Sequence, residues 1–260
     1  MNRILKILFG VAAVTFLIAP LFAILPLAFT DSIFLTYPMP GWSSRWFQEL
    51  SGAEVWRRSI INSLIIGGGT TILATTLGSL AALGLRHHGL FLCGSLRTLF
   101  LLPMVVPAVV LGVGMQLLFA QLGIANSYLG VIVAHTVVSI PFVMVSVSGA
   151  LRGIDQRVEL AAESLGASPF TVFRRITLPL AMPGVASGAV LAFATSLDEV
   201  VLTLFVAGPN QRTLARQMFS TLRENISPAI AAAAFLFIMG TLIFGLVLML
   251  TKRQSLTVKA

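Results

Sequence analysis

Residues 129–150 have the sequence LGVIVAHTVVSIPFVMVSVSGA, without a single Asp, Glu, Lys or Arg. A helix that crosses the hydrocarbon of a bilayer needs about 20 mostly apolar residues. Five further stretches meet this requirement: residues 7–29, 60–85, 98–120, 184–207 and 229–251. Each must be helical, because lipid offers no partner to an unpaired backbone group. The sequence therefore predicts an all-α integral membrane protein with six transmembrane helices.

The composition of the chain supports the same conclusion. Of its 260 residues, 57% are hydrophobic and only 10% are charged, and the mean hydropathy is +0.97. An ordinary globular domain carries about 25% charged residues. So few charges cannot cover a water-exposed surface, and we expect the chain to be solvated mainly by lipid.

The distribution of the 17 basic residues predicts an orientation. They lie between the apolar stretches or at the termini, not on a face with interleaved aromatic residues, and this excludes nucleic acid as a partner. With the N-terminus inside, eleven lie in inner segments (Arg3, Lys6, Arg86, Arg97, Arg152, Arg157, Arg174, Arg175, Lys252, Arg253, Lys259) and six in outer segments (Arg45, Arg57, Arg58, Arg212, Arg216, Arg223). Inner segments of membrane proteins are enriched in Lys and Arg. Both termini are therefore predicted to be cytoplasmic.

The first apolar stretch and the segment after it are predicted to form an N-terminal region, residues 1–58. The stretch 7–29 exceeds the roughly 7–15 residues of a signal-peptide core, which favours an uncleaved membrane anchor. Residues 30–58 contain Trp42, Trp46 and Trp56 among charged residues. Because such rings prefer the membrane–water interface, we expect a short outer helix lying on the membrane. The alternative is an ordinary loop packed on the bundle.

The segment between the fourth and fifth apolar stretches, residues 151–183, is long and charged, and we call it the charged connection. Residues 157–166 have the pattern of an amphipathic helix that Gly166 ends. A second short helix is predicted to begin with Ser168 as its cap and Pro169 in its first turn. Such helices outside the membrane favour a docking surface for a soluble partner, although a helix lying on lipid headgroups has the same pattern.

Two further expectations concern the fifth stretch. Pro179 and Pro183 are predicted to break the chain before it begins. Gly184 with Gly188, and Gly149 with Gly153 at the end of the fourth stretch, are small residues spaced to let helices approach closely.

Several catalytic signatures are missing from the sequence. It contains no G-x-x-x-x-G-K-[ST] motif, no H-E-x-x-H and only one cysteine, Cys93, so neither a P-loop for ATP nor a zinc site is predicted. An intramembrane hydrolase is the enzyme alternative, with His135 beside Ser139 or Ser146. Because no G-x-S-x-G or oxyanion loop accompanies these residues, we expect His135 to be packed or to line a path.

Asp198 and Glu199 are the most informative charges. They lie about 15 residues, or roughly 22 Å, into the predicted fifth span. A carboxylate at such depth is costly unless it faces a cavity or a partner. One of the two is therefore predicted to face a solute path; the alternative is an ion pair with Arg212 or Arg216.

Within the charged connection, residues 160–179 (LAAESLGASPFTVFRRITLP) resemble the E-A-A-x-x-x-G-(x)n-I-x-L-P signature of permease subunits in type I ATP-binding cassette (ABC) importers. The matching residues are Ala161, Ala162, Gly166, Ile176, Leu178 and Pro179. Leu160 occupies the position of the signature glutamate, and Glu159 precedes it. The resemblance continues through Asn62-Ser63, Ala81-Ala82, Arg86, Pro103, Pro107, Gly112 and Pro141-Phe142.

The resemblance implies a type I permease fold with a core at 59–251, a cytoplasmic coupling loop at 151–183 and a tail at 252–260. It implies that the coupling helix contacts a separate ATPase through Glu159, Ala161, Ala162, Glu163, Gly166, Ala167 and Phe170. The implied partners are a homologous but non-identical second permease chain, two ATPase subunits that carry ATP and Mg²⁺, and a periplasmic solute-binding protein. The implied location is the bacterial inner membrane. The chain itself would bind no cofactor and catalyse no reaction.

A narrower resemblance concerns the solute. Residues 195–228 look like the corresponding part of permeases for spermidine and putrescine, with matches at Ser196, Asp198, Phe205, Gly208, Pro209, Ser227 and Pro228. A polycation needs carboxylates along its path, so Ser196, Asp198 and Glu199 become the predicted path residues. Related permeases for other organic amines, opines or amino-acid derivatives share much of this region and remain alternatives.

Overall fold

A computed structural model describes residues 3–86, 93–224 and 226–257. The helices in these ranges are α1 Arg3–Ile24, α2 Arg45–Gly52, α3 Glu54–Gly84, α4 Cys93–Leu101, α5 Ala108–Gln121, α6 Tyr128–Arg152, α7 Gln156–Ser164, α8 Pro169–Val172, α9 Leu178–Asp198, α10 Val201–Val206, α11 Leu214–Glu224 and α12 Ala229–Thr257. Short 3₁₀ turns lie at Pro26–Phe29, Leu102–Met104 and Pro209–Gln211, and a π-helical turn lies at Phe173–Thr177. Over the described ranges the chain forms helices and no β-strands, which confirms the all-α prediction.

Five segments are long and apolar enough to cross a membrane as single spans: Ile4–Phe29, Glu54–Gly84, Tyr128–Arg152, Pro169–Asp198 and Ala229–Val247. The remaining predicted span, 98–120, which is the third along the chain, is instead a pair of helices, Cys93–Met104 and Ala108–Gln121, bent by 100°. Pro103 and Pro107 explain the bend, because proline has no N–H to donate and its ring clashes with the preceding helical turn. Six spans result when this bent pair is counted as one.

The fifth span differs from its prediction in both bounds. It begins at Pro169 and ends at Asp198, whereas 184–207 was expected. The expected break at Pro179 and Pro183 is wrong: both prolines lie within α9. The π-helical turn Phe173–Thr177 directly before α9 accommodates Pro179, whose nitrogen has no hydrogen to donate.

The chain divides into two compact units, residues 1–58 with 217–240, and residues 59–216 with 241–260. In the first unit, the ring of Phe29 lies 5.1 Å from that of Phe47 and 5.3 Å from that of Phe235. The short helix expected in residues 30–58 is present as α2, with Trp46 buried and Trp42 exposed. Its position on the membrane surface stays a prediction.

In the second unit, α6 packs between α3 and α9 because glycines on both neighbours let it approach. A Cβ on Gly78 would lie 2.7 Å from Cβ of Val143, and one on Gly188 would lie 3.1 Å from Cα of Val143. A Cβ on Gly184 would lie 2.5 Å from that of Ala150. The packing role predicted for Gly184 and Gly188 is thus confirmed, whereas no atom of the described residues lies within 4 Å of a Cβ on Gly149.

The C-terminal helix α12 continues through Thr257, and residues 258–260 of the predicted tail lie outside the described residues. The predicted functional division into residues 1–58, 59–251 and 252–260 stays a prediction.

Candidate functional sites at the two ends of the fifth span

The first helix of the charged connection, α7, has a complete cap at each end. Its N-cap Asp155 accepts a hydrogen bond from the backbone N–H of Arg157 at 2.9 Å. At its C-terminus the N–H of Gly166 donates to the carbonyl of Glu163, and that of Ala167 donates to the carbonyl of Ala162. These two bonds form a Schellman motif, in which the residue after the cap is left-handed. Gly166 has φ of +85°, a conformation that favours glycine.

The second short helix begins as the sequence predicts. Ser168 is the N-cap of α8, its hydroxyl accepts a hydrogen bond from the N–H of Thr171, and Pro169 lies in the first turn. From α8 the chain passes through the π-helical turn into α9 without leaving helical geometry. The charged connection is therefore joined directly to the fifth span.

Glu159 attaches α7 to two other parts of the second unit. Its Oε1 lies 2.7 Å from a guanidinium nitrogen of Arg86, just beyond the C-terminus of α3. The same oxygen accepts a hydrogen bond from the hydroxyl of Thr177. The side chains of Arg86 and Glu159 are only 11% and 14% exposed, so water screens this ion pair weakly. Glu159, which lies one position before the place of the signature glutamate, thus makes a polar contact within the chain.

Large apolar side chains of the charged connection face outward. Leu165 is 89% exposed, Phe170 69%, Leu160 59% and Val158 47%. Among the other predicted coupling residues, Ala161 and Glu163 are exposed, whereas Ala162 and Ala167 are half-buried. An apolar patch of this kind, rimmed by polar residues, marks an interaction surface.

A cavity of about 280 Å³ lies beneath this surface. Its walls are Leu83, Arg86, Glu159, Glu163, Pro169, Val172, Phe173 and Thr177. The space therefore separates α7 from α8 and the π-helical turn, and Glu159 contacts its partners along one side of it.

At the other end of α9, Asp198 and Glu199 have different environments. Asp198 is the last residue of α9 and its side chain is exposed; within the described ranges it forms no ion pair. Glu199 is the C-cap residue of α9, and its Oε1 accepts a hydrogen bond from the N–H of Leu202 at 2.9 Å. The two carboxylates lie at the end of α9, whereas the predicted span 184–207 continued past them. The side chain of Asp198 is exposed and that of Glu199 is half-buried.

The third predicted path residue, Ser196, belongs to a buried polar group. His135 is fully buried, with Nδ1 2.9 Å from the hydroxyl of Ser196 and Nε2 3.0 Å from that of Thr203. Thr203 uses its only hydroxyl hydrogen to donate to the carbonyl of Glu199. Thr203 must therefore accept from Nε2–H. In a neutral imidazole, Nδ1 then accepts from the hydroxyl of Ser196. The group joins α6, α9 and α10.

The contacts of His135 bear on the alternative that the protein is an intramembrane hydrolase. The partners of His135 are Ser196 and Thr203, not Ser139. The hydroxyl of Ser139 is buried without a hydrogen-bond partner in the described part of the chain, and that of Ser146 donates to the carbonyl of Gly184. His135 is therefore a packing residue of the bundle, as one of the two expectations had it.

Arg216 is not an ion-pair partner of Asp198. Its guanidinium donates to the carbonyls of Thr203 and Ala207, at 3.1 and 2.8 Å, and so satisfies the C-terminus of α10. Burial, with a smaller contribution from the like charge of Arg212, lowers the pKa of Arg216, although an arginine stays protonated.

The segment after α10 is held by residues whose structural role sequence reasoning missed. The amide nitrogen of Asn62 donates to the carbonyls of Asn210 and Arg212, at 2.8 and 2.9 Å, and its oxygen accepts from the hydroxyl of Tyr128. Ser63 accepts from the N–H of Leu214. A polar Asn-Ser pair within an otherwise apolar span was the available signal, since buried polar groups need partners.

Residues 74–256 match the family model described as the inner membrane component of binding-protein-dependent transport systems. This chain belongs to that family. The matched range includes α6, the charged connection, α9 and α10. The chain is therefore the membrane subunit of an ABC importer and not an enzyme, with ATP hydrolysed by a partner subunit, and it is a multi-pass protein of the inner membrane.

Relatives of this inner membrane component include the putrescine transport system permease protein PotI of Escherichia coli K12, 37% identical over 91% of this chain and 85% of PotI. The spermidine/putrescine transport system permease protein PotC of the same strain is 31% identical over 98% of this chain and 96% of PotC. The molybdenum transport system permease protein ModB of Mycobacterium bovis is 37% identical over 71% of this chain and 76% of ModB.

Solved structures show the same fold. A chain of a bacterial ABC transporter involved in import of the acidic polysaccharide alginate aligns with a TM-score of 0.73 and 17% identity, covering 96% of this chain and 95% of that one. At this identity the likeness concerns the fold alone. The type I permease fold that the signature implied is confirmed.

Proposed function

We propose that this inner membrane component carries a polyamine, such as putrescine or spermidine, into the cytoplasm, and that Asp198 presents its carboxylate to the cation. The observation that carries the assignment is the exposed carboxylate of Asp198 at the end of a transmembrane helix, which forms no ion pair within the described residues. An exposed anion attracts an ammonium group without first having to give up a partner within the described residues. The named substrates of PotI and PotC, relatives over nearly the whole chain, support the same class of solute.

The second part of the proposal is that residues 157–171 contact a separate ATPase subunit. The exposed apolar side chains Leu165, Phe170 and Leu160 support a protein partner, because so much apolar surface is costly in water. Two ATPase subunits would supply ATP and Mg²⁺, and a homologous, non-identical permease chain and a periplasmic solute-binding protein would complete the importer. A solved relative of the fold is described in complex with a ligand-bound periplasmic protein.

Uptake by the reconstituted importer tests the substrate class. Proteoliposomes holding the whole complex, with its binding protein outside and ATP inside, are supplied with labelled putrescine, spermidine, an amino acid, an opine or molybdate. We expect ATP-dependent accumulation of the polyamines. Uptake of molybdate alone would place the chain with ModB, and uptake of the amino acid or opine alone would also contradict a polyamine substrate.

The orientation of the termini is part of the proposal and has its own test. Single cysteines replace Gln48, in α2, and Ser164, in α7, in a Cys93→Ser background. Both side chains are exposed. An impermeant thiol reagent applied to intact cells should label position 48 and leave position 164 unlabelled until the membrane is opened. The reverse labelling pattern would show that the chain has the opposite orientation in the membrane.

A further inference from the structure

A second cavity, of about 140 Å³, lies between the C-terminal parts of α3 and α6 and the middle of α4. Its walls are Ala82, Leu85, Arg86, Arg97, Met144, Ser148, Leu151 and Arg152. Neither the solute path nor the ATPase contact proposed above uses Arg97, Ser148 or Arg152. The cavity is therefore a separate feature of the second unit.

The charged side chains that line this cavity are all positive. Among the residues that the structure describes, three arginines line it and no carboxylate does. The charge of Arg86 is offset by Glu159, 2.7 Å away. Arg97 and Arg152 are exposed, and in the part of the chain that the structure describes neither forms an ion pair or donates a hydrogen bond. The positive charges of Arg97 and Arg152 and the hydroxyl of Ser148 are thus available to bind an anion.

The other residues that line the cavity are apolar: Ala82, Leu85, Met144 and Leu151. Met144 lies eight residues before Arg152 on the same helix, which is about 12 Å along its axis. A ligand that fills the space therefore needs an anionic group beside the arginines and apolar atoms beside Met144. A soluble phosphate supplies the first property, and a phospholipid supplies both.

We propose that this cavity binds the phosphate group of an anionic phospholipid headgroup in the cytoplasmic leaflet, with Arg97 and Arg152 as its ligands. Arginine suits phosphate because its planar guanidinium donates two parallel hydrogen bonds. Basic pockets between transmembrane helices on the cytoplasmic side are suited to such headgroups. The assignment to that leaflet rests on the proposed function, because Arg152 directly precedes the segment proposed to contact the ATPase.

Native mass spectrometry of the whole importer, delipidated and then titrated with phosphatidylglycerol or phosphatidylcholine, tests the proposal. The test variant is Arg97→Gln with Arg152→Gln, which removes two charges that hold no partner in the described chain. The matched control is Arg174→Gln with Arg175→Gln, which removes two exposed charges of the charged connection that do not line the cavity. At about 1 kcal/mol per basic residue, we expect the test variant to lose about thirtyfold in affinity for phosphatidylglycerol. The control should bind as the wild type does.

A second arm separates the two sources of phosphate. Inorganic phosphate is added to the delipidated importer and its thermal stability is followed. Stabilisation of the wild type and the control, but not of the test variant, with no retained phosphatidylglycerol, would overturn the lipid in favour of a soluble anion. Equal phosphatidylglycerol binding by all three proteins would overturn the site altogether. Neither readout requires transport or a known orientation, so a failure here is distinguishable from a failure of the proposed substrate or topology.

Discussion

The two ends of the fifth span use charge in opposite ways. At the charged connection, the carboxylate of Glu159 is nearly buried and bound to Arg86 and Thr177, while Leu165 and Phe170 are exposed. At the other end, the uncharged polar side chains of His135, Ser196 and Thr203 are buried together, while the carboxylate of Asp198 is exposed.

This difference indicates which kind of partner each end of the span is suited to bind. An end that binds its own charge internally and exposes apolar side chains is suited to a protein surface, where apolar burial is favourable. An end that satisfies its neutral polar groups internally and exposes a carboxylate is suited to a cation. Four substitutions, two at each end, break or sharpen this contrast.

The largest effect is expected from Gly166→Val. A β-branched residue resists φ of +85°, because a non-glycine residue pays about 1–2 kcal/mol in the left-handed region and branching at Cβ adds to the strain. The Schellman motif should open and displace α8 from α7. We expect the complex to hydrolyse ATP without accumulating solute, measured as transport and ATPase rates in the same proteoliposomes.

The matched control is Gly166→Asn, since asparagine tolerates the left-handed conformation better than other non-glycine residues. It should retain a substantial part of the coupling. In the part of the chain that the structure describes, no atom lies within 4 Å of a Cβ at this position, so a difference between the two variants reports backbone conformation and not crowding. Normal transport by the valine variant would contradict the proposal that residues 157–171 contact the ATPase.

Next in size is Asp198→Asn, which keeps the shape of the side chain and removes its charge. Loss of a partly desolvated charge pair costs about 2–5 kcal/mol. We expect uptake at limiting polyamine to fall at least about tenfold per assembled complex, with ATPase activity stimulated by the binding protein retained. Size-exclusion chromatography gives the amount of assembled complex.

Glu199→Gln sharpens this test. The amide oxygen of glutamine can still accept from the N–H of Leu202, so this hydrogen bond to α10 is kept while one negative charge is lost. Uptake should stay close to that of the wild type. If both variants lose transport equally, the exposure of Asp198 does not distinguish its function from that of Glu199. Unchanged uptake in Asp198→Asn would contradict a role of Asp198 in the path.

A smaller effect, on stability, is expected from Glu159→Gln. Removing one partner of a buried ion pair costs about 3–5 kcal/mol. Because both side chains keep some exposure, we expect a loss of about 2 kcal/mol, seen as a lower melting temperature of the importer. Glu163→Gln, one helical turn further on an exposed face, should leave the melting temperature unchanged. Equal melting temperatures for all three proteins would show that the Glu159–Arg86 pair adds no stability.

The smallest effect is expected from Ser196→Ala, which removes the donor to Nδ1 of His135. A buried hydrogen bond contributes about 1 kcal/mol net, so the melting temperature should fall slightly. Ser187→Ala is the control, since that exposed hydroxyl donates only to the carbonyl of Pro183 in its own helix. A larger loss of uptake than of stability in Ser196→Ala would instead restore Ser196 as a path residue.

The features that could be predicted from the sequence are those fixed by neighbouring residues. Gly166 as the end of α7, and Ser168 with Pro169 as the start of α8, depend on backbone groups within a few residues. The ion pair of Glu159 with Arg86 joins positions 73 apart, and the contact of His135 with Ser196 joins positions 61 apart. No local pattern specifies such pairs, because they depend on how the helices pack.

The same reasoning explains the misplaced fifth span. A proline is a helix breaker in most local contexts, so Pro179 and Pro183 were expected to stop the helix. The π-helical turn ahead of Pro179 was not predictable from residue types alone. With the span moved towards the charged connection, Asp198 lies at the end of α9. The depth of its carboxylate in the membrane stays a prediction.

The unbroken run from Pro169 to Asp198 also has a mechanical consequence. At about 1.5 Å per residue, its 30 residues form a rod about 45 Å long. A rod transmits a tilt from one end to the other without a hinge to absorb it, so a few degrees of rotation imposed near Phe170 would move Asp198 by several ångströms.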